Sequence, residues 1–212
     1  MRTESLTDEL LSVAGRALAT LYSESRAERV SPAEEDVEAP PLSDSEREES
    51  AALMRVNHVG EICAQALYEA HAIGTTDPKL RASFERAAQE EIDHLDWTRR
   101  RIEALGGRPS ILNPLWYSGA FAIGLLAAKL GDRASLGFMA ETERQVAQHL
   151  TDHLERLSVN DRESRAIVEQ MRRDETHHAH TAAELGGPEL PWPAKLAMRL
   201  AAKVMTVTAY RI

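Results

Sequence analysis

Glu61 is followed thirty residues later by Glu91-Ile92-Asp93-His94, and Glu143 is followed thirty-two residues later by Glu175-Thr176-His177-His178. Each unit is a lone glutamate and then Glu-x-x-His. Residues at i and i+3 of a helix share a face, so Glu91 can aim with His94 at one ion, and Glu175 with His178. If each lone glutamate sits on an antiparallel neighbouring helix, each hairpin sets three ligand-type side chains level. Two such hairpins packed together gather four carboxylates and two imidazoles on a bundle axis, the carboxylate-bridged di-iron or di-manganese arrangement. A single Glu-x-x-His means little, because about one is expected by chance in a chain of this composition. Two copies with matched upstream glutamates constrain the fold.

Charge supports the same set. Four buried carboxylates without counter-ions are prohibitively costly, and two divalent cations with neutral imidazoles cancel them. The net charge of −9 is concentrated in residues 24–49, which carry −7, whereas residues 50–212 carry only −1. Setting the four site glutamates aside leaves that larger part at +3. After Glu189 come Lys195, Arg199, Lys203 and Arg211 and no acid, so the chain ends basic. No basic stripe interleaved with aromatics suggests nucleic acid.

The rest of the chain reads as helical. Ala, Leu, Glu and Arg dominate, and aromatics make up 5%. Residues 6–22 form a short amphipathic pattern with Leu6, Leu10, Val13, Ala14, Ala17 and Leu21 on one face. Residues 23–43, with Pro32, Pro40 and Pro41, read as an acidic flexible linker. Ser43 with Glu46 reads as a capping box, and four long helices are predicted over roughly 44–74, 78–106, 131–157 and 160–185. Gly74, Gly106-Gly107 and Gly186-Gly187 are their stops, and Asp77-Pro78 and Asn160 their starts. The expected domain division is 1–43, a short helix and linker, and 44–212, the metal-binding bundle with one long crossover.

Two segments exceed a plain bundle. Residues 109–128 carry no charge between Arg108 and Lys129. About 20 predominantly apolar residues are needed to span a bilayer, and Asn113, Pro114 and two serines weaken this run. It reads as a buried, re-entrant or interfacial helix. Residues 191–210 space Lys195, Arg199 and Lys203 at four-residue intervals, with Leu196, Met198, Leu200 and Met205 off that face and Trp192 and Tyr210 at the ends. That is the pattern of a helix lying in a membrane interface. The membrane-associating segments are therefore expected at 109–130 and 191–210.

Other residues rank lower. Glu90 and Asp174 each stand four residues before a site histidine, where they could accept a bond from its second ring nitrogen. His177 and His180 compete with His178. His58 could reach the site from one turn before Glu61, and His149 could sit near it, while His71 and His153 read as surface residues. His149 and His153 lack an intervening glutamate, which argues against a zinc-protease helix. Cys63, the lone cysteine, excludes an internal disulfide and reads as a packed residue. The N-terminus shows no secretory pattern and is too acidic for a mitochondrial presequence. No phosphate-loop, Rossmann or Ser/His/Asp pattern is visible.

These motifs are familiar together. Arg55-Val56-Asn57-His58-Val59-Gly60-Glu61, Glu91-Ile92-Asp93-His94-Leu95, Arg108-Pro109 with Asn113-Pro114-Leu115-Trp116, Glu143 through His149, and Asp174-Glu175-Thr176-His177-His178 resemble the demethoxyubiquinone hydroxylases. The resemblance runs from about residue 50 to the end. It implies an all-α, ferritin-like four-helix bundle with an extra apolar crossover helix and a C-terminal amphipathic helix. It also implies two irons on Glu61, Glu91, His94, Glu143, Glu175 and His178, which are the catalytic centre, with Glu91 and Glu175 as bridges. The implied reaction is a monooxygenation with O₂ of the ring of a prenylated demethoxyubiquinol in ubiquinone biosynthesis, with electrons ultimately from NADH. Peripheral attachment to the cytoplasmic side of the cell membrane is implied, with room for a ubiquinone-biosynthesis complex or a homo-oligomer. Leu150 departs from relatives with an aromatic after the histidine, so no role of that aromatic carries over. The same ligands would also serve a ferritin-like iron-storage or peroxide-handling protein, or a non-enzymatic assembly component of a quinone-synthesis complex whose metal only holds the bundle together. A soluble ferritin cage has no need of the two apolar segments, and a purely structural role does not need an oxygen-reactive carboxylate set.

Overall fold

The computed structural model describes residues 6–23, 26–34 and 40–212, with side chains omitted for 6–10 and 34. The chain is all-helical. Helix α1 is Leu6–Tyr22, a 3₁₀ turn covers Pro32–Glu34, and α2 to α7 are Asp44–Gly74, Pro78–Ala104, Asn113–Ala128, Asp132–Arg156, Arg162–Glu184 and Trp192–Ala209. Helices α2, α3, α5 and α6 form the bundle, α2 pairing with α3 and α5 with α6. The predicted boundaries hold within about two residues, as helix ends generally allow.

Local chemistry explains most ends. Ser43 accepts from the Glu46 amide while Glu46 accepts from the Ser43 amide, the expected capping box. Asp77 caps α3 ahead of Pro78. Asn160 is not the cap of α6; Asp161 is, accepting from the Ser164 amide at 3.0 Å. Asp161 is buried and also receives Arg101 at 2.6 Å, so the stronger acceptor takes the position. Gly106 and Gly186 adopt φ of 77° and 103° and end their helices as glycine should. Gly74 serves differently: a Cβ there would collide with that of Ala128, so its role is the close crossing of α2 by α4.

Two apolar plugs fill the bundle. Leu53, Met54, Trp97, Ile102, Leu150, Ile167 and Met171 form one, and Leu67, Tyr68, Leu80, Phe84, Leu136 and Met139 the other. Glu61, Glu91, Glu143 and Glu175 fall between them on their helices, so packed side chains exclude water from both sides of the polar layer. Leu150 is a core residue of the first plug.

The two additional segments are helices. No helix among the described residues is long and apolar enough to cross a membrane. Helix α4 lies on α2 through Tyr117, Gly124 and Ala128, and a Cβ on Gly124 would stand 2.8 Å from that of Ala70. Its other face exposes Leu115, Ile123 and Leu126. Ala209 is the buried residue of α7, which exposes Trp192, Leu196, Leu200, Val204 and Val207. Lys195 does not stand on a free basic face: it pairs with Glu141 at 3.4 Å. Trp116 near the start of α4 and Met205 and Tyr210 near the end of α7 pack on one cluster with Val56 and Val59, so those two ends share a patch of α2.

On α1, Ala17 and Leu21 pack against Ile62, Ala66, Leu95 and Tyr117, Ala14 is exposed, and the Leu6 and Leu10 side chains lie outside the described residues. Of the stretch whose composition reads as a tether, residues 24–25 and 35–39 lie outside the description. Residues 26–34 are docked on the bundle. Charge anchors them: the Glu28 amide donates to Asp93 at 2.7 Å, and Arg29 reaches Asp93 and Asp174.

His71 and His153 are not surface residues; both are buried. The His71 ring lies against Phe84 and Phe138, with centroids 5.5 and 5.9 Å away, and neither ring nitrogen has a hydrogen-bond partner. His153 stacks on His149 at 3.9 Å. Burial holds the His71 pKa down to about 4. The unfolded imidazole, near its ordinary 6.5, is protonated first. Its contribution to stability is therefore complete above about pH 6.5 and is lost as pH falls toward 4. His71→Leu should remove ~2 kcal/mol of the destabilisation between pH 7.5 and 5, measured as the difference between urea midpoints of variant and parent at the two pH values. An unchanged pH dependence would contradict the buried neutral ring.

Candidate metal centre

All six side chains of the repeated pattern converge. Helix α2 contributes Glu61, α3 Glu91 and His94, α5 Glu143, and α6 Glu175 and His178, each buried. They form two groups, Glu61/Glu91/His94/Glu175 and Glu91/Glu143/Glu175/His178, and within each group one ligand atom per residue lies within 4.8 Å of all the others. Glu91 and Glu175 belong to both. Because Glu91 and Glu175 are the first residues of the two Glu-x-x-His pairs, the i, i+3 spacing alone brings each into line with its histidine. His177 and His180 remain exposed. Neither group includes His58 or His149; the His58 Nδ1 is buried without a partner.

Both imidazoles are oriented alike. His94 turns Nδ1 to Glu91 (2.9 Å), Glu175 (3.3 Å) and Glu61 (3.6 Å), and its Nε2 to Asp174 at 2.9 Å. His178 turns Nδ1 to Glu91 (3.1 Å) and Glu175 (3.3 Å), and its Nε2 to Glu90 at 2.8 Å. Glu90 and Asp174 do hold second ring nitrogens, but crosswise. Each serves the histidine of the opposite helix rather than the one four residues on. A residue four places back lies on the same face one turn away, whereas across antiparallel α3 and α6 it comes level with the partner's ring.

Electrostatics shows what charge the centre favours. Burial and the nearby Glu91 charge push the Glu61 carboxyl up, and burial with Glu175 and Glu91 does the same to Glu143. Burial opposes ionisation of Glu91 too, but His94 and His178 outweigh it and hold that carboxyl well below its ordinary range. Both site histidines are pushed up, because the carboxylates outweigh the burial that opposes their charge. The set thus favours positive charge among its carboxylates. Glu91 Oε1, Glu143 Oε2 and Glu175 Oε1 are buried and accept no well-directed hydrogen bond, the condition expected of oxygens shaped for a metal rather than for a donor. A hard-to-borderline divalent ion suits this oxygen-and-imidazole set.

Several contributors carry no motif. The Tyr68 hydroxyl donates to Glu143 at 2.6 Å; two turns beyond Glu61 on α2, its spacing was the only signal. Tyr68 also borders a cavity of about 430 Å³ lined by Arg16, Ala19, Glu69, Ile92 and Leu95. Asp93 is buried between two site residues and held by the docked segment, for which sequence offers no signal at all. Cys63 is partly buried beside Trp116, and burial with the Glu61 charge pushes its thiol up to about 12, which leaves it inert.

Comparison with known proteins gives a consistent picture. A relative from Azoarcus sp. (strain BH72) is 59% identical over 197 residues, covering 93% of this chain and 95% of its own. One from Paraburkholderia xenovorans (strain LB400) is 59% identical over 209 residues, covering 97% and 99%. One from Methylibium petroleiphilum is 54% identical over all 212 residues of both chains. Each is named 3-demethoxyubiquinol 3-hydroxylase. The family described as ubiquinone biosynthesis protein COQ7 matches residues 48–209, a span that takes in the four bundle helices except the first turn of α2, together with the six converging side chains. With that match covering most of its length, the chain belongs to the COQ7 family of ubiquinone biosynthesis proteins.

Proposed function

We propose that this chain is a monooxygenase that hydroxylates the ring of 3-demethoxyubiquinol, using a di-iron centre held by Glu61, Glu91, His94, Glu143, Glu175 and His178. The observation that carries this is the pair of interlocked groups sharing Glu91 and Glu175, found in a chain whose relatives are named for that hydroxylation. Iron storage gains no support from those names. Two irons supply the reductive activation of O₂ that ring hydroxylation requires.

The chain's own residues do the remaining work. Glu91 and Glu175 stand where they can bridge, and Glu61 and Glu143 can each close one outer position. Glu90 and Asp174 hold the histidine Nε2 atoms, which fixes both rings with Nδ1 inward. Tyr68 holds a proton at its hydroxyl and orients the Glu143 carboxylate. The cavity beside Tyr68, Ile92 and Leu95 offers space on the order of one aromatic ring and its substituents next to the centre. Electrons would come ultimately from NADH.

The prenylated substrate resides in a bilayer, and the outward faces of α4 and α7 carry exposed Leu115, Ile123, Leu126, Leu200 and Val204. We assign these faces to peripheral contact with the cytoplasmic side of the membrane, and residues 44–212 to the catalytic unit. The experiment is incubation of iron-loaded protein with short-chain demethoxyubiquinol, NADH, a reductase and O₂, followed by mass spectrometry. Gain of one oxygen atom, with label from ¹⁸O₂, is the expected result. No oxygenated product from protein carrying two irons and reduced chemically would overturn the hydroxylase assignment.

A further inference from the structure

The two halves of the centre mirror each other in their carboxylates and histidines but not in what lies outside them. Asp174, behind His94, is held on three sides. It accepts from His94 Nε2 at 2.9 Å, from Arg29 Nη1 at 2.9 Å and from Gln170 at 2.9 Å. Arg29 also donates through Nε to Asp93 at 2.5 Å, brings Nη2 within 3.4 Å of His94 Nε2, and stacks 4.9 Å over the Trp97 ring. The Trp97 ring in turn lies 5.5 Å from that of His94. Backbone contacts seat the arginine, since the Glu28 amide donates to Asp93. Glu90, behind His178, is 49% exposed, against 16% for Asp174. One histidine is thus clamped from behind in a shielded setting, and the other leans on a carboxylate open to water.

The clamp comes from the stretch that precedes the family match. The family match begins at residue 48, whereas Arg29 belongs to the preceding stretch. A guanidinium is always charged and planar, and its fork reaches two carboxylates at once, which an ammonium cannot do as well. Held there, it fixes Asp174, and through Asp174 the tilt and tautomer of the His94 ring. Partners of that kind behind a metal-bound imidazole are worth about 10–100-fold in metal affinity.

The geometry points to Arg29 as a positioning residue of the centre, supplied by the N-terminal segment, which makes the His94-side position retain its metal more firmly than the His178-side position. This rests on the two-metal reading given above. Arg29 touches neither substrate nor metal; it acts through Asp174 and His94.

The test is metal release from full-length protein loaded with two equivalents of Co(II), followed after addition of excess chelator. The parent should lose its two ions in separate phases. Arg29→Gln should quicken the slower phase by about tenfold while leaving the faster one within about twofold, and Arg29→Lys should recover part of the loss. Glu90→Gln should act on the other phase. In ⁵⁷Fe-loaded protein, Arg29→Gln should shift one of two Mössbauer doublets. Equal acceleration of both phases would make Arg29 a general strap and overturn the proposal, as would no change in either. Parent protein that retains only one Co(II) per chain would overturn the two-metal reading itself. Two ions retained with indifferent Arg29 variants would leave that reading standing and remove only this one.

Discussion

Glu175→Ala should leave the chain helical, poor in metal and inactive. Glu175 belongs to both groups around the centre, so on the proposed reading its loss would remove a ligand from each metal position at once. Removing a partner behind a ligand costs up to about 100-fold in metal affinity, and removing a shared ligand should cost more. Heat denaturation separates this from misfolding. An ion held at a thousandfold excess over its dissociation constant stabilises by ~4 kcal/mol, which raises the midpoint of a chain this size by on the order of 10 °C. Iron should give that rise in the parent and not in the variant. Without metal the two should melt alike, since losing one of four crowded buried carboxylates relieves repulsion as well as packing. Glu175→Gln, which keeps the volume, should behave like the alanine variant in metal binding. Two irons per chain in either variant would refute the site.

The second large effect concerns the membrane. Leu200→Glu combined with Val204→Glu should abolish binding to vesicles while leaving the fold intact. Both side chains are mostly exposed, at 59% and 63%, so neither packs on the bundle. In a bilayer interface each would contribute about 1.5 kcal/mol or more by burial, together roughly a 100-fold change in partition. Co-sedimentation with vesicles containing anionic lipid measures it. Hydroxylation of a short-chain, water-soluble substrate should survive, and that of a long-chain one should fall. Equal vesicle binding by parent and variant would remove α7 from the membrane contact.

The bundle and the convergence at its centre were legible in the sequence for definite reasons. Caps such as Ser43 with Glu46 and stops such as Gly106 and Gly186 are local chemistry, and the spacing of Glu91 with His94 is a property of any helix. What was not legible depends on how helices face each other. The crossed pairing of Glu90 with His178 and Asp174 with His94 requires the relative register of α3 and α6, which no local pattern encodes. His71 reads as a surface residue by type, and its burial follows from Phe84 and Phe138 on two other helices. Arg29 sits among prolines and glutamates that suggest solvation. Its partners lie 64 and 145 residues away. Gly74 reads as a helix stop, yet its contact is with Ala128 of a helix whose position only the fold reveals.

The crossed pairs also bear on how the chain assembles. Each hairpin holds one histidine and one outer carboxylate, yet neither carboxylate serves the histidine beside it. A hairpin formed alone therefore has its ring loose and only half of a binding site. Slipping α3 past α6 by a single turn would break both crossed bonds together, so an ion can be seated firmly only after the two halves have docked in one alignment. With the proposed iron bound, the centre would act as a proofreader of its own scaffold: a misaligned chain would gain nothing from the metal, and an aligned one would be locked by it.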